Sequence, residues 1–346
     1  MTKSMQAAVL HSPGHITVES VPRPVITGPG QVLLSVASCG VCGSDIPRMM
    51  KNGAHKMPLI CGHEFSAYVL EISADVEGVR VGDLVTVPPL IPCLKCDLCA
   101  AGRFSLCKDY DYFGSRRDGA YAEFVVSPAS NVMVVPGHLD PRAAAMVDPA
   151  AIAVHGLRRT MIQKGSRVAV VGAGPIGLFA VQWALIHGAS EVLAVDISAA
   201  KADQAREAGA SMVASNDAEA LEFGSFDVVL ESAGVPAAEN LAINLVGPGG
   251  DAVFVGIPTG PVELAQGTFS RFLRQEINLH GAWNSFSAPW PGAEWRDTVD
   301  MLANGTLKWE FMITHQLGLD ALPGAFQMMN GRTEHFSKVL FQPNGA

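Results

Sequence analysis

The 346-residue sequence is poor in charge, and poorest in cations: charged residues make up 16%, with 24 Lys and Arg against 33 Asp and Glu, a formal net charge of −9. That balance disfavours non-specific binding to nucleic acid or to an anionic membrane surface. Any anionic ligand must therefore meet a local cluster of cations. No uninterrupted apolar run approaches the roughly 20 residues of a membrane-spanning helix. The opening MTKSMQAAVL lacks the long apolar core and small-residue cleavage site of a secretory signal. A cytoplasmic protein is expected. Seven cysteines are an odd count for a disulfide framework and read more naturally as thiols or metal ligands. Internal repeats and low-complexity segments are absent.

What is present is apolar material: 49% hydrophobic residues with 35 Gly and 22 Pro, a mixture suited to strands, tight turns and buried helices. The length exceeds one ordinary core, which predicts two domains, one of them discontinuous. The first 130 or so residues carry short strand-like runs (VLLSVAS, EFSAYVLEI, DLVTVPPL, YAEFVVS) separated by Gly, Pro and Asp. From about residue 150 apolar strands (RVAVVGA, EVLAVDI, FDVVLESAG, DAVFVGI) alternate with amphipathic helices, the pattern of a doubly wound parallel sheet. Beyond about 287 the tail (WRDTVDMLANG, ITHQLG, LPGAFQMMNG, KVLFQ) is too short to form a domain alone. The expected division is an α/β protein with residues 1–149 and 288–346 in a strand-rich domain, and 150–287 in the doubly wound one.

Residues 168–177, VAVVGAGPIG, run a buried strand into Gly172-x-Gly174-x-x-Gly177 and a helix starting near Pro175. The first glycine permits the tight turn, the second lets backbone approach a pyrophosphate, and the third lets helix pack on strand. Pro175 and Ile176 complete the turn. Asp196, 19 residues beyond Gly177 at the end of the next strand, is placed to hold the adenosine ribose hydroxyls and to repel a 2′-phosphate, so NAD is expected over NADP. The alternative is a helix N-cap carboxylate. Lys201, five residues on, and Arg206 beyond it are cations that would serve NADP instead.

Cys93, Cys96, Cys99 and Cys107 form C-x2-C-x2-C-x7-C in a lobe of about residues 91–109. Four soft thiolates in one short loop suit a closed, tetrahedral structural zinc; two disulfides or an iron–sulfur cluster are the alternatives. The second constellation is Cys42 in CGVCGSD with His63 and Glu64 in CGHEF, a thiolate and an imidazole that leave a coordination position open. Cys39 and Cys61, beside these ligands, read as packing residues.

The GHE turn, the CGSD loop, the four-cysteine lobe and the VxGxGxxG turn, in this order over essentially the whole chain, resemble the zinc-dependent medium-chain alcohol and polyol dehydrogenases. The strings CGSDIPRMMKNGAH, GSRRDGAYAEF, ESAGVP and WNSFSAPWPGAEW look closer to the galactitol-1-phosphate 5-dehydrogenase subgroup than to sorbitol or threonine dehydrogenases. The resemblance implies a GroES-like catalytic domain interrupted by a Rossmann NAD domain, with two zinc ions per subunit. Carried over by position, Cys42 and His63 are ligands of a catalytic zinc, and Glu64 ligates or orients it. Asp148, where relatives have Glu before Pro149, would be a further ligand with roughly 1.5 Å less reach.

The implied reaction passes a hydride from a secondary hydroxyl of a polyol or polyol phosphate to NAD. Ser44 stands where the family has a hydroxyl proton relay, or is a turn serine. The relay histidine is replaced by Pro47, which leaves His55 or a water near Glu64 as proton exits. Candidate phosphate contacts are Arg48, Lys51, Arg116 and Arg117; the Arg116-Arg117 pair equally fits a solvated turn or a salt bridge to Asp118 or Glu123. Trp283 and Asn284 are candidates for the sugar pocket. An unphosphorylated polyol or another secondary alcohol such as threonine is the close alternative. A non-catalytic sensor or a zinc-free quinone-reductase-like protein is disfavoured by Cys42, His63 and Glu64. A homodimer or homotetramer is expected, through edge pairing of DAVFVGI and FSRFLRQEINLHGAW.

Overall fold

The structure, a computed structural model, describes residues 3–345. It divides into two compact units, one running through Asp148 and again from Phe286, the other spanning Pro149–Ser285.

In the first unit the central strand is Gln31–Gly40, whose Val32, Leu33, Leu34 and Val36 are buried. Each such side chain contributes about 1.5–3 kcal/mol by leaving water. The strand pairs antiparallel with Glu64–Ile72 and Phe124–Pro128. The late strand Lys338–Phe341 joins it antiparallel through Leu340↔Gly40 and Phe341↔Cys39, and carries Ile313–Leu317 on its other side. Leu84–Thr86 and Met133–Val134 extend the opposite end. A hairpin that none of the strand-like runs had indicated, Ser4–Ser12 with His15–Pro22, turns at Pro13-Gly14 and forms a second sheet with Leu59–Ile60. The run DLVTVPPL, expected as one strand, is divided into Leu84–Thr86 and Leu90–Ile91, because Pro88 and Pro89 have no N–H to give a ladder.

The second unit is a six-stranded parallel sheet in the order Met212–Ala214, Glu191–Val195, Arg167–Val171, Phe226–Glu231, Val246–Phe254, Asn278–Gly281. The order reverses between Arg167–Val171 and Phe226–Glu231, the switch point at which open α/β sheets bind ligands. The helix Pro175–Ile186 buries eight residues from Gly177 to Ala184, on all sides, and so behaves as a core helix. The segment DAVFVGI is not an edge: its strand, Val246–Phe254, is paired on both sides. The edge is Asn278–Gly281, paired on one side only among the described residues. No helix among these residues is long and apolar enough to cross a membrane.

Candidate metal centres and nucleotide turn

The four lobe cysteines place their sulfur atoms within 4.8 Å of one another. All are free thiols, and Cys93 Sγ lies 4.0 Å from Cys99 Sγ. A disulfide needs about 2.05 Å. A tetrahedron of roughly 2.3 Å Zn–S bonds has sulfur–sulfur edges of about 3.8 Å, so the donor set fits zinc. The lobe backbone is turned toward the sulfurs: Cys93 N–H donates to Cys107 Sγ at 3.2 Å and Cys99 N–H to Cys96 Sγ at 3.5 Å. Such bonds favour thiolates, and the Cys93 and Cys96 thiols are pulled down by backbone donors. Ser105 Oγ and the backbone of Phe286 exchange hydrogen bonds of 3.0 and 3.2 Å. Phe286 stacks on Trp290 and Trp295, and Trp290 meets Phe104 edge-on. Most of the aromatic string WNSFSAPWPGAEW therefore braces the lobe.

The second cluster is built by strand register. Gly40 faces Glu64 across one ladder and Leu340 across the next. Cys42, just beyond one strand end, thereby meets His63 and Glu64 at the start of another, and the three ligand atoms lie within 4.8 Å of one another. The CGHE turn requires close backbone approach: a Cβ on Gly119 would sit 2.0 Å from the carbonyl oxygen of Gly62, which itself has φ +92°.

Around this cluster stand residues that motif reasoning missed. Lys338 is buried and forms an ion pair with Glu64, while its Nζ also donates to the carbonyl of Val41 at 3.1 Å. Asp45 is fully buried; its Oδ1 pairs with Arg48 and lies 3.4 Å from His63 Nδ1, and its Oδ2 accepts from Tyr121 Oη at 3.1 Å. Burial pushes the Asp45 carboxyl up, but His63, Arg48 and Tyr121 outweigh it and hold it at about 2. Tyr112 sets its ring edge-on to that of His63, centroids 5.6 Å apart. Charge proximity gave no signal in sequence for Lys338, 274 residues from Glu64. Asp45, three residues from Cys42 in CGSD, was legible as part of a motif, though not as a partner of His63.

Asp148 sits in the first turn of helix Val147–Leu157, buried, with Oδ2 lacking any partner. Burial, with the Glu64 charge adding to it and His63 and Lys338 opposing, pushes its carboxyl up to about 7. Asp148 lies outside the group of ligand atoms within 4.8 Å of one another, but it feels the charges of Glu64 and His63, and a buried carboxyl with an unpartnered oxygen there suits a cation.

The other expected residues are placed as follows. Ser44 Oγ donates to Cys42 Sγ at 3.2 Å. Arg48 is bound to Asp45. Lys51 and His55 are exposed on the segment that follows. Arg116 lies 4.4 Å over the Tyr110 ring; Arg117 is over Phe113 and 3.5 Å from Asp111, not from Asp118 or Glu123. Asp118 accepts the Ile60 N–H and Glu123 the Gln6 N–H. Asn284 has φ +54° and a buried, unpartnered Nδ2, and Trp283 is half-exposed. Cys39 and Cys61 are buried, and burial pushes both thiols up, Cys61 to about 12, as inert packing residues require.

In the second unit Gly172 has φ +99°, and a Cβ on Gly177 would lie 1.8 Å from its carbonyl oxygen, so neither position admits a side chain. Gly174 opens the helix whose first residues are Pro175 and Ile176. Asp196 Oδ2 accepts the Ala173 N–H at 2.9 Å, Oδ1 accepts the Ser198 N–H at 3.0 Å, and Lys201 Nζ is 3.7 Å from Oδ2.

Two family descriptions match the sequence: alcohol dehydrogenase GroES-like domain over residues 28–137, and zinc-binding dehydrogenase over 175–304. The galactitol 1-phosphate 5-dehydrogenase of Escherichia coli strain K12 is 35% identical over 347 residues, covering 98% of this chain and 100% of that protein. This chain belongs to the zinc-dependent medium-chain alcohol and polyol dehydrogenases. Another member of this dehydrogenase family, the sorbitol dehydrogenase of Bacillus subtilis, is 30% identical, with 99% and 98% of the two chains covered. A crystal structure of E. coli galactitol-1-phosphate dehydrogenase superposes with a TM-score of 0.92 at 34% identity, covering 98% of this chain and 100% of that one. A zinc-binding dehydrogenase from Sinorhizobium meliloti, bound to NADP, gives 0.90 at 32% identity, with 99% and 100% covered. As a family member the chain is a zinc-binding, nicotinamide-linked oxidoreductase of GroES-like and Rossmann architecture, and the four-cysteine lobe fits its structural zinc.

The Asp148 environment predicts a pH dependence in metal-stripped protein. Its folded-state value of about 7 lies above the ordinary 3.8, so the stability it contributes is complete below about pH 4 and lost as pH rises through 7. The loss is on the order of 4 kcal/mol. Thermal melts of the stripped protein should show Asp148→Asn more stable than wild type at pH 8 and equal to it near pH 4; equal melts at both pH values count against a buried, orphaned carboxyl.

Proposed function

We propose that the chain oxidises a secondary hydroxyl of a polyol, either free or phosphorylated, with NAD as hydride acceptor. The observation that carries this is the mixed cluster of Cys42, His63 and Glu64, with Asp148 buried, one oxygen unpartnered, within electrostatic reach of Glu64 and His63. Unlike the four-thiolate lobe, this donor set leaves room for a substrate oxygen. Zinc held there by Cys42, His63 and Glu64, with Asp148 as a further ligand, would supply a Lewis acid that lowers the pKa of a hydroxyl, and NAD the hydride acceptor.

The chain's own residues do the rest. Lys338 neutralises Glu64, which keeps that carboxylate available without a second uncompensated charge. Ser44 Oγ, on Cys42 Sγ, is the first acceptor for the hydroxyl proton. Pro47 supplies no onward relay, so Ser44, on accepting that proton, would pass its own to water or to the exposed His55.

The name of the E. coli relative supports a phosphorylated polyol, with the Arg116-Arg117 turn as phosphate contact. One observation favours a free polyol instead: Arg117 already faces Asp111, and Arg116 already covers Tyr110. NAD preference rests on Asp196, whose oxygens hold the backbone of Ala173 and Ser198 and present negative charge to a 2′-phosphate. A homodimer or homotetramer is supported by the one-sided edge Asn278–Gly281 with Leu279 exposed, and by Phe269 and Leu273 exposed on helix Gln266–Arg274.

Three measurements test this reading. NAD reduction over matched free and phosphorylated polyols, galactitol 1-phosphate included, should favour the phosphorylated members; Arg117→Ala should raise their KM roughly tenfold to hundredfold with kcat little changed. Better turnover of the free polyols would leave the unphosphorylated reading. Asp196→Ser should raise the ratio of NADP to NAD kcat/KM at least about tenfold; an unchanged ratio removes Asp196 from cofactor choice. Sedimentation should give a dimer or larger assembly that Leu279→Lys dissociates, whereas a wild-type monomer refutes the edge pairing.

A further inference from the structure

Arg48 entered as a possible phosphate contact, yet its geometry points inward. It opens a five-residue π-helical turn, Arg48–Asn52, directly after the short helix Asp45–Pro47. That turn sends the guanidinium back three residues onto Asp45, and four-fifths of the side chain is buried. Asp45 itself is wholly enclosed, and each carboxylate oxygen is shared. Oδ1 lies between the Arg48 guanidinium and His63 Nδ1, 3.4 Å away. Oδ2 accepts from Tyr121 Oη at 3.1 Å and from the Cys42 N–H at 3.4 Å. One carboxylate thus touches both residues that the mixed cluster contributes as thiolate and imidazole. Because Nδ1 faces Asp45, the nitrogen left for a shared ion with Cys42 is Nε2.

We infer that Arg48 is a positioning residue for the zinc held by Cys42 and His63: by locking the Asp45 carboxylate, it fixes the ligands of both the CGSD and the GHE segments at once. The inference rests on the assignment of those two residues to the catalytic zinc. The physical reason is that a buried carboxylate keeps one orientation only while a cation and its hydrogen-bond donors hold it. Without Arg48, Asp45 retains Tyr121 and the Cys42 amide on Oδ2, and nothing fixed remains to hold Oδ1 against the imidazole. A surface arginine waiting for a substrate phosphate would be free of such a partner.

The test is zinc retention. Wild type, Arg48→Met, Arg48→Lys, Asp45→Asn and the Arg48→Met/Asp45→Asn double variant are loaded with zinc, and release is followed with a chromogenic chelator. Wild type should hold two ions per chain. Arg48→Met should release one of them roughly 10–100-fold faster while the four-cysteine ion stays. Arg48→Lys should recover part of the difference, and Arg48→Met should add little in the Asp45→Asn background. Retention of the four-cysteine ion, held in the same unit as Arg48, reports that each variant is folded. An Arg48→Met protein that releases zinc at the wild-type rate and loses only KM for phosphorylated substrates overturns the inference and makes Arg48 a substrate contact. Wild type holding a single zinc overturns the catalytic-zinc assignment and this inference with it, an outcome distinct from a silent Arg48 variant.

Discussion

The mixed-ligand centre depends on the register of three strands. Gly40 pairs with Glu64 on one side and with Leu340 on the other. That single row sets Cys42, His63, Glu64 and Lys338 at one end of the sheet, although they come from both ends of the chain. Side chains alternate faces along a strand, so a slip of one residue in either ladder would carry Glu64 or Lys338 to the opposite face. The ladder bonds and the apolar residues beneath them, Val32, Leu34, Phe65 and Phe341 among them, are what prevent the slip.

The register also decides the electrostatics. The centre collects three buried carboxylates, Asp45, Glu64 and Asp148, in a chain that is acidic overall. Two of them have cations built in, Arg48 for Asp45 and Lys338 for Glu64. Asp148 has none, and its high pKa records the cost. That asymmetry separates groups that orient the site from the group left open to an ion. The four-cysteine lobe solves a different problem. Its sulfurs are satisfied by one another's backbone and by a closed donor set, and the aromatic segment Phe286 to Trp295 packs on it.

Local signals were legible in the sequence wherever the chemistry is local. Two-residue gaps bring thiols onto one centre without help from the rest of the fold. The glycines of VAVVGAGPIG are demanded by a backbone conformation and by an atom 1.8 Å away, both within one turn. The alternation of apolar strands and helices from about residue 150 gave a parallel sheet because each element buries its own face against the next. The strand DAVFVGI was misplaced at an edge because an apolar run does not say how many neighbours it has.

By itself, then, the sequence determined the two-part α/β architecture, the cysteine lobe, the glycine turn and the CGSD and GHE segments. Only the tertiary structure decided that Lys338 lies on Glu64, that Asp45 joins Cys42 to His63, and that Arg48 belongs to that carboxylate. It also gave Arg117 to Asp111 and left Asp148 without a partner. The reason is physical: backbone geometry and metal-ligand spacing are properties of a few consecutive residues. Which charges neutralise one another is set by strand register and burial, and these exist only once distant segments have packed.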